Sequence, residues 1–534
     1  MKQRFLLDCT LRDGGYINDW EFGHDNIVNI FERVVKSGVD VIEIGFLDDR
    51  RPFDINRSIM PDTDSVQRIY GRLDRKNTMV VGMIDYGTCD ISHVSDCSDS
   101  YLDGIRVIFK KDKMHPAMEF CRQLIAKGYK VFSQLVSVSS YSDDELREVV
   151  SLANDIHPYA LSMVDTYGLL NPKSLTHIME VIDQNLDRDI CLGFHAHNNF
   201  QLGYINAMTV LESDIDRNVL VDGSLYGMGK SAGNAPLELI AMSMNMNEKF
   251  GKNYDVSEMQ EAIVTSILDI QKKSPWGYQL FYYIAAANKV HPNYVSYLMN
   301  KRTLSVTEIN EILQKIPEEE KLSKNMEMIE QMYLDFQKKE CDDSDAVSRL
   351  AAEFAGKDIL VLGPAPNIVR QHDRVTRYID KHHPVIISIN YIPDDLTPDY
   401  IFITNNSRYL QLATRLTDHR DIRQIASSNL TRTDGDFDYV VNYSNLIDEN
   451  SEFPDNSMCM LIRLLVKAGV KKVSLAGFDG YTVDSINYYD EDKEYDFLKE
   501  KADYLNDYGR TFFKEIADKT EVAFVTDSRY EEAR

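Results

Sequence analysis

The chain has 534 residues, more than one core of ordinary size fills, so two or three domains are expected. Asp and Glu number 85 against 59 Lys and Arg, a formal charge of -26 that repels phosphate backbones and anionic lipid, so neither nucleic acid nor a membrane surface is expected as a partner. The 7 cysteines show neither CxxC spacing nor the density of a disulfide scaffold. The first residues lack a signal-peptide core, and no apolar stretch reaches the ~18 residues of a membrane-helix candidate; a cytoplasmic protein is expected.

From residue 5 to about 250, short β-rich runs alternate with longer stretches of helical period, the pattern of parallel strands joined by helical crossovers. Eight runs stand out: FLLDCTL (5–11), VDVIEIGF (39–46), TMVVGMID (78–85), DGIRVIFK (103–110), KVFSQLVSV (130–138), YALSMVDT (159–166), ICLGFHAH (190–197) and RNVLVDGSL (217–225). Eight such units have the size of a TIM (β/α)8 barrel, and an open doubly wound sheet does not usually need eight in a row. Residues 251 to about 315 are helical in pattern, and the aromatic segment 274–300 suits packing against the barrel or a dimer interface; a homo-oligomer is expected. The charged stretch 317–345 is expected to form a solvated helix and a linker. Beyond it, KDILVLGPAPNI (357–368), PVIISIN (384–390), DYIFITNN (399–406), DYVVNYS (438–444), KKVSLAGFDGY (471–481) and EVAFVTD (521–527) alternate with helices. The expected architecture is α/β: a TIM barrel over 1–250, a helical extension and linker over 251–350, and a doubly wound, Rossmann-like domain over 351–534.

In the first domain Arg12 and Asp13 are expected to close the first strand, and His195 and His197 the seventh. Strand side chains alternate faces, so histidines at i and i+2 project together and can grip one ion. Odd barrel strands share side-chain layers, so Asp13 can approach both histidines across the mouth. Two imidazoles and a carboxylate leave positions open for substrate and suit Mn, Fe or Zn, with Mg tolerated if it keeps waters. An HxH pair alone is more simply a chance pair on a strand. That simpler account weakens because other run ends also carry polar groups: Glu43, Gln134, Asp165, Thr166 and GMGKSAGNAP (227–236).

DCTLRDGG, HAHNN and GMGKSAGNAPLE resemble, in this order, the signatures of the DRE-TIM metallolyase (HMG-CoA lyase-like) superfamily, over roughly residues 4–250 and most nearly its 4-hydroxy-2-oxovalerate aldolase branch. The resemblance implies that Asp13, His195 and His197 hold a divalent metal, Mn or Mg ahead of Zn or Co, with Asn234 a further ligand or its neighbour. It implies that Arg12 stabilises an enolate and Glu43 steadies this arginine. The substrates implied are a small 2-oxo acid of the pyruvate type and an aldehyde, joined or parted at a carbon-carbon bond. One position departs from the pattern. The aldolases carry an acid/base histidine four residues after the arginine, where this chain has Tyr16, a phenol with ordinary pKa near 10. Tyr16, a metal-bound water or Tyr294 of the aromatic segment are the alternatives for that role. The rival readings are a Claisen-type acyl-CoA synthase, a non-haem iron oxygenase, and an inactive barrel serving as scaffold or nucleotide sensor.

In the last domain LGPAPNI follows a strand and opens a helix, so backbone amides there can face a phosphate. The segment lacks GxGxxG and a Walker lysine. It resembles the Gly-Pro-Ser loops of sialyltransferase-like and pterin diphosphokinase-like domains, with LAGFDGY in place of a late-strand acidic motif. Gly363 and Asp479 are accordingly the candidates for binding a nucleotide or nucleotide-sugar, which places the protein in specialised carbohydrate or surface-glycan biosynthesis. A degenerate module used for assembly is the plainer reading.

Overall fold

The computed structural model describes residues 2–301, 303–338, 340–430, 437–489, 499 and 501–531. The chain folds as two compact units, Met1–Val295 and Ser296–Arg534, so the helical segment expected over 251–350 is divided between them.

The first unit is built on β1 (Arg4–Asp8), β2 (Val41–Leu47), β3 (Met79–Asp85), β4 (Gly104–Phe109), β5 (Lys130–Leu135), β6 (Ala160–Asp165), β7 (Cys191–Ala196) and β8 (Val219–Gly223). All pair in parallel with their neighbours in sequence, and β1 pairs with both β2 (Leu7 beside Val41) and β8 (Phe5 beside Leu220), which closes the barrel. A two-residue strand, Ile59–Met60, pairs with the end of β2.

Period-two alternation explains the core. One parity of the strand residues, including Leu6, Ile42, Val80, Ile105, Val131, Leu161 and Leu192, packs with the surrounding helices. The other parity faces the lumen and is layered. Leu7, Val41, Val81, Phe132, Ala160, Cys191 and Leu220 fill its lower part, while two residues further along the same strands stand Glu43, Gln134, Ser162 and Asp222, with Arg106 in the same parity of β4, all buried. Apolar packing thus gives way to charge toward the carboxyl ends of the strands, where barrel enzymes hold their substrates. The crossover helices are locally specified: Ser142 and Glu145 form a capping box opening Asp143–Ile156, and Asn171 with Ser174 does the same before Pro172–Asn185. The segment after the barrel is helical as expected, and its aromatic residues pack on the barrel: Trp276 Nε1 donates to Tyr226 O (2.9 Å), and Tyr283 meets Phe200 edge-on.

The second unit contains β9 (Ile359–Leu362), β10 (Val385–Ile389), β11 (Tyr400–Ile403), β12 (Arg423–Ser427), β13 (Tyr439–Val441), β14 (Lys472–Ala476) and β15 (Glu521–Phe524). They form one parallel sheet in the order β13-β12-β11-β10-β9-β14-β15. The chain steps outward from β9 to β13 and then returns to add β14 and β15 on the other side of β9. Both faces are covered. Ile359, Val361, Tyr400 and Phe402 pack with helices Ser344–Phe354, Ser457–Lys467 and Ala502–Ile516. Leu360 and Leu362 pack with Val375 of His372–His382, and Ile401 and Ile403 with Leu412 and Leu416 of Asn406–Asp418. Two expectations are corrected here. β12 was not among the six runs, because its first two residues are polar and only Ile425, Ala426 and Ser427 are buried. The helix Met326–Gln337 in the charged stretch is only half solvated, since Ile329 and Tyr333 are fully buried.

Candidate functional site

Arg12 and Asp13 do not close the first strand itself. β1 stops at Asp8, whose carboxylate accepts the backbone N–H (3.2 Å) and hydroxyl (2.5 Å) of Thr10, and the chain turns into a single helical turn, Thr10–Asp13, set above the barrel end. His195 lies on β7 and His197 just beyond it, where its backbone bridges to Asn234.

Asp13, His195 and His197 are all buried, and one donor atom from each lies within 4.8 Å of the others. His197 Nε2 is 3.4 Å from Asp13 Oδ2, and His195 Nε2 is 4.0 Å from Asp13 Oδ1. Both rings are oriented from behind: Nδ1–H of His195 donates to Asp222 Oδ2 (2.9 Å), and Nδ1–H of His197 to the Asp165 carbonyl (3.1 Å). These bonds put the proton on Nδ1 and turn the Nε2 lone pairs toward the Asp13 carboxylate. Lone pairs facing a carboxylate repel unless a cation lies between them. His195 Nε2 and Asn234 Oδ1 are buried acceptors with no hydrogen-bond partner among the described residues. The donor set therefore fits a divalent ion, with Asp13, His195 and His197 to hold it, and Asn234 is joined to His197 by a backbone bridge.

Beneath this set runs a continuous line of buried charge. Arg12 Nε donates to Glu43 Oε2 (2.7 Å) and its Nη1 to Asp13. Arg106 donates from Nη1 to the same Glu43 oxygen (2.9 Å) and from Nη2 to Asp222 Oδ2 (2.5 Å) and Gln134 Oε1 (3.1 Å). Asp222 then holds His195. Two guanidiniums against three carboxylates leave this group one negative charge in excess, which a cation would offset. Burial alone would raise the Asp13 carboxyl, but the Arg12 guanidinium against it outweighs burial and holds it well below the ordinary carboxylate range. Burial, partly offset by Asp222, lowers His195 and favours the neutral ring that ligates metal. Arg106 and Asp222 were not found in the sequence. Their only local signal is a charge inside an otherwise apolar run.

The loop after β8 reaches over the set. A Cβ on Gly229 would lie 2.4 Å from Asn234 Nδ2 and 2.7 Å from Asp13 Oδ2, so only glycine lets the backbone pass there. Lys230, next in the loop, donates its backbone N–H to Asp13 Oδ2 (3.3 Å) and sets its ammonium over the Tyr16 ring (5.4 Å). Tyr16 packs edge-on against Trp20 and Phe46 and stays 41% exposed. Burial of its phenol edge, with the charge of Asp13, pushes its pKa above the ordinary value. Tyr294 is fully buried on the helix Pro292–Lys301, with His291 edge-on to it.

In the second unit Asp479 follows β14. Its Oδ2 accepts the Asn367 N–H (2.8 Å), its Oδ1 is buried with no partner among the described residues, and burial pushes its carboxyl up to about 6. Gly363 has an internal reason to be glycine, since a Cβ there would lie 2.5 Å from the Gly477 carbonyl.

Residues 4–265 match the HMGL-like family. The 4-hydroxy-2-oxovalerate aldolase of Shewanella pealeana is 25% identical over 275 residues, covering 50% of this chain and 78% of that protein. The oxaloacetate decarboxylase of Mycobacterium tuberculosis is 26% identical over 247 residues, 46% of this chain and 70% of that protein. The 2-isopropylmalate synthase of Staphylococcus carnosus is 26% identical over 256 residues, 45% of this chain and 48% of that protein. A closed parallel barrel with an Asp-His-His set at its carboxyl end thus has its relatives among enzymes of carbon-carbon bond chemistry, and residues 4–265 of this chain belong to the HMGL-like family, the DRE-TIM metallolyases.

Proposed function

We propose that the barrel is a divalent-metal-dependent aldolase that makes or breaks a carbon-carbon bond through the enolate of a small 2-oxo acid, pyruvate above all. The observation that supports this best is the convergence of Asp13, His195 and His197 beside an arginine already fixed by Glu43. When bound, a divalent ion supplies Lewis acidity toward the carboxylate and keto oxygens of the acid. Arg12 spends Nε on Glu43 and Nη1 on Asp13, which leaves Nη2 as a donor for the oxygen that gains charge as the enolate forms. Glu43 in turn is locked by Arg106, so the guanidinium keeps its position without reorganising. Tyr16, whose phenol stays protonated at neutral pH, can give its proton to the alkoxide formed when an enolate adds to an aldehyde but is ill suited to take one, so the proton lost from the methyl group of the acid passes to solvent water.

The same property of Tyr16 favours a second reading, decarboxylation of a 2-oxo diacid, which passes through the same enolate and needs no base to take a hydroxyl proton. The place of the reaction in specialised carbohydrate or surface-glycan biosynthesis is part of the proposal and is supported only by the second unit's motifs.

Exchange of pyruvate methyl protons with deuterium tests the enolate without knowledge of the aldehyde. The Mn- or Mg-loaded chain should exchange pyruvate well above background. Asp13→Ala and His195→Ala should abolish this, and Arg12→Lys should cut it by about 10²–10³-fold while metal content is retained. Exchange no faster in the loaded wild type than in the Asp13 and His195 variants would overturn the proposal. Release of carbon dioxide from oxaloacetate at a rate above aldol turnover would select the second reading.

A further inference from the structure

At the carboxyl edge of the second sheet lies a cleft of about 200 Å3, bounded by Ala365 after β9, Asn390 after β10, Asn405 after β11 and Asp479 after β14. This is where the strand order reverses about β9, the place where open α/β sheets bind ligands. Two helices start at the cleft wall, Asn406–Asp418 capped by Asn405 and Ser457–Lys467 capped by Asn456, so two positive dipole ends meet there. Lys301 and Arg408 add two cations to the same wall. Of the acids, Asp455 is engaged by the hydroxyls of Tyr333 (2.9 Å) and Tyr443 (3.3 Å). Asp479 still offers a buried Oδ1 that has no partner among the described residues. Tyr391, Phe453 and Phe478 add aromatic rings to its lining.

Each feature selects a different part of one ligand. Helix starts and a guanidinium suit phosphate oxygens. Aromatic rings suit the face of a flat ring. A buried carboxylate oxygen without a donor suits a hydroxyl that can give one. Inorganic phosphate uses only the first of these and a sugar phosphate lacks the flat ring. We propose that this cleft is a binding site for a nucleoside phosphate, with its phosphate groups by Arg408 and Lys301, its base among the aromatic rings and a ribose hydroxyl donating to Asp479.

Calorimetric titration of the full chain with ADP, GDP, CDP and UDP, and in separate arms with the parent nucleosides, inorganic phosphate and glucose 1-phosphate, tests this. At least one nucleoside diphosphate should bind about tenfold or more tightly than its nucleoside, phosphate and the sugar phosphate. Arg408→Gln and Asp479→Asn should each weaken that binding by about tenfold, and Asp13→Ala, in the barrel, should leave it unchanged. Circular dichroism checks the fold of each variant, and Lys301→Gln replaces Arg408→Gln if the latter unfolds. No saturation by any diphosphate below about 1 mM, binding matched by phosphate or sugar phosphate, or insensitivity to the cleft variants would each overturn the proposal.

Discussion

Asp8 shows how far one buried carboxyl can be moved by its setting. It is fully buried, and burial raises its pKa to about 7 against the pull of the Thr10 hydrogen bonds, with Glu43 and Asp222 adding to the rise. The folded chain therefore holds a proton on Asp8 that the unfolded chain has lost above about pH 4. Between roughly pH 4 and 7 the folded state binds more protons, so stability falls as pH rises, by up to about 1.4 kcal/mol per unit from this group. Asp8→Asn removes the titration. Both tryptophans of the chain, Trp20 and Trp276, lie in the barrel unit, so urea midpoints followed by their fluorescence report on it. The variant should gain on the wild type steadily from pH 5 to pH 7, whatever its offset at low pH; parallel curves would contradict the assignment. At this scale the sequence showed much of the rim. The spacing of His195 and His197 on one strand is a local pattern, and the structure sets both beside Asp13. Arg106 and Asp222 escaped notice because their partners lie 63 and 116 residues away, beyond any local period. Without those partners a buried guanidinium would cost several kcal/mol, roughly 3–5 when one partner of a pair is removed.

Among the elements, the loop after β8 is the one the site depends on most closely. Gly229→Ala would set a methyl against Asn234 Nδ2 and Asp13 Oδ2, so the loop or the carboxylate must shift. Metal affinity should fall by about 10–100-fold, as for loss of a group that orients a ligand. Gly82→Ala on β3 is the control, since its methyl would meet nothing nearer than 3.4 Å, and its metal affinity should stay at the wild-type value. Equal affinity in both variants, measured by competition with a chelating dye, would show that the loop does not position the set. The eight barrel strands were legible because each is a short, largely apolar run between stretches of helical period. The turn at Thr10–Asp13 was not, because Cys9, Thr10 and Leu11 continue the apolar run past the point where Asp8 bends the chain. β12 was hidden for the opposite reason: its edge-facing start, Arg423 and Gln424, is polar, and the strand is recognisable only through its pairing with β11 and β13.

Over the whole molecule the candidate metal centre belongs to one unit. The Asp-His-His set and its supporting charges come only from residues 8–234, inside the barrel unit. A cation held there binds the folded barrel and not the unfolded chain, so it stabilises the barrel by RT ln(1 + [M]/Kd), about 2.7 kcal/mol at a hundredfold excess over Kd. In a unit of this size that corresponds to roughly 4–5 °C in midpoint. Trp20 is well placed to report it, because its Nε1 donates to the Arg12 carbonyl (2.8 Å), one residue from Asp13. Thermal unfolding of the full chain followed by tryptophan fluorescence should therefore shift upward with added Mn or Mg and return when the metal is chelated. Asp13→Ala should give one midpoint under both conditions, since the carboxylate that completes the set is gone. A shift of the same size in Asp13→Ala would mean that the metal acts elsewhere on the chain, and a wild type indifferent to metal and chelator alike would remove the centre on which the enolate chemistry rests.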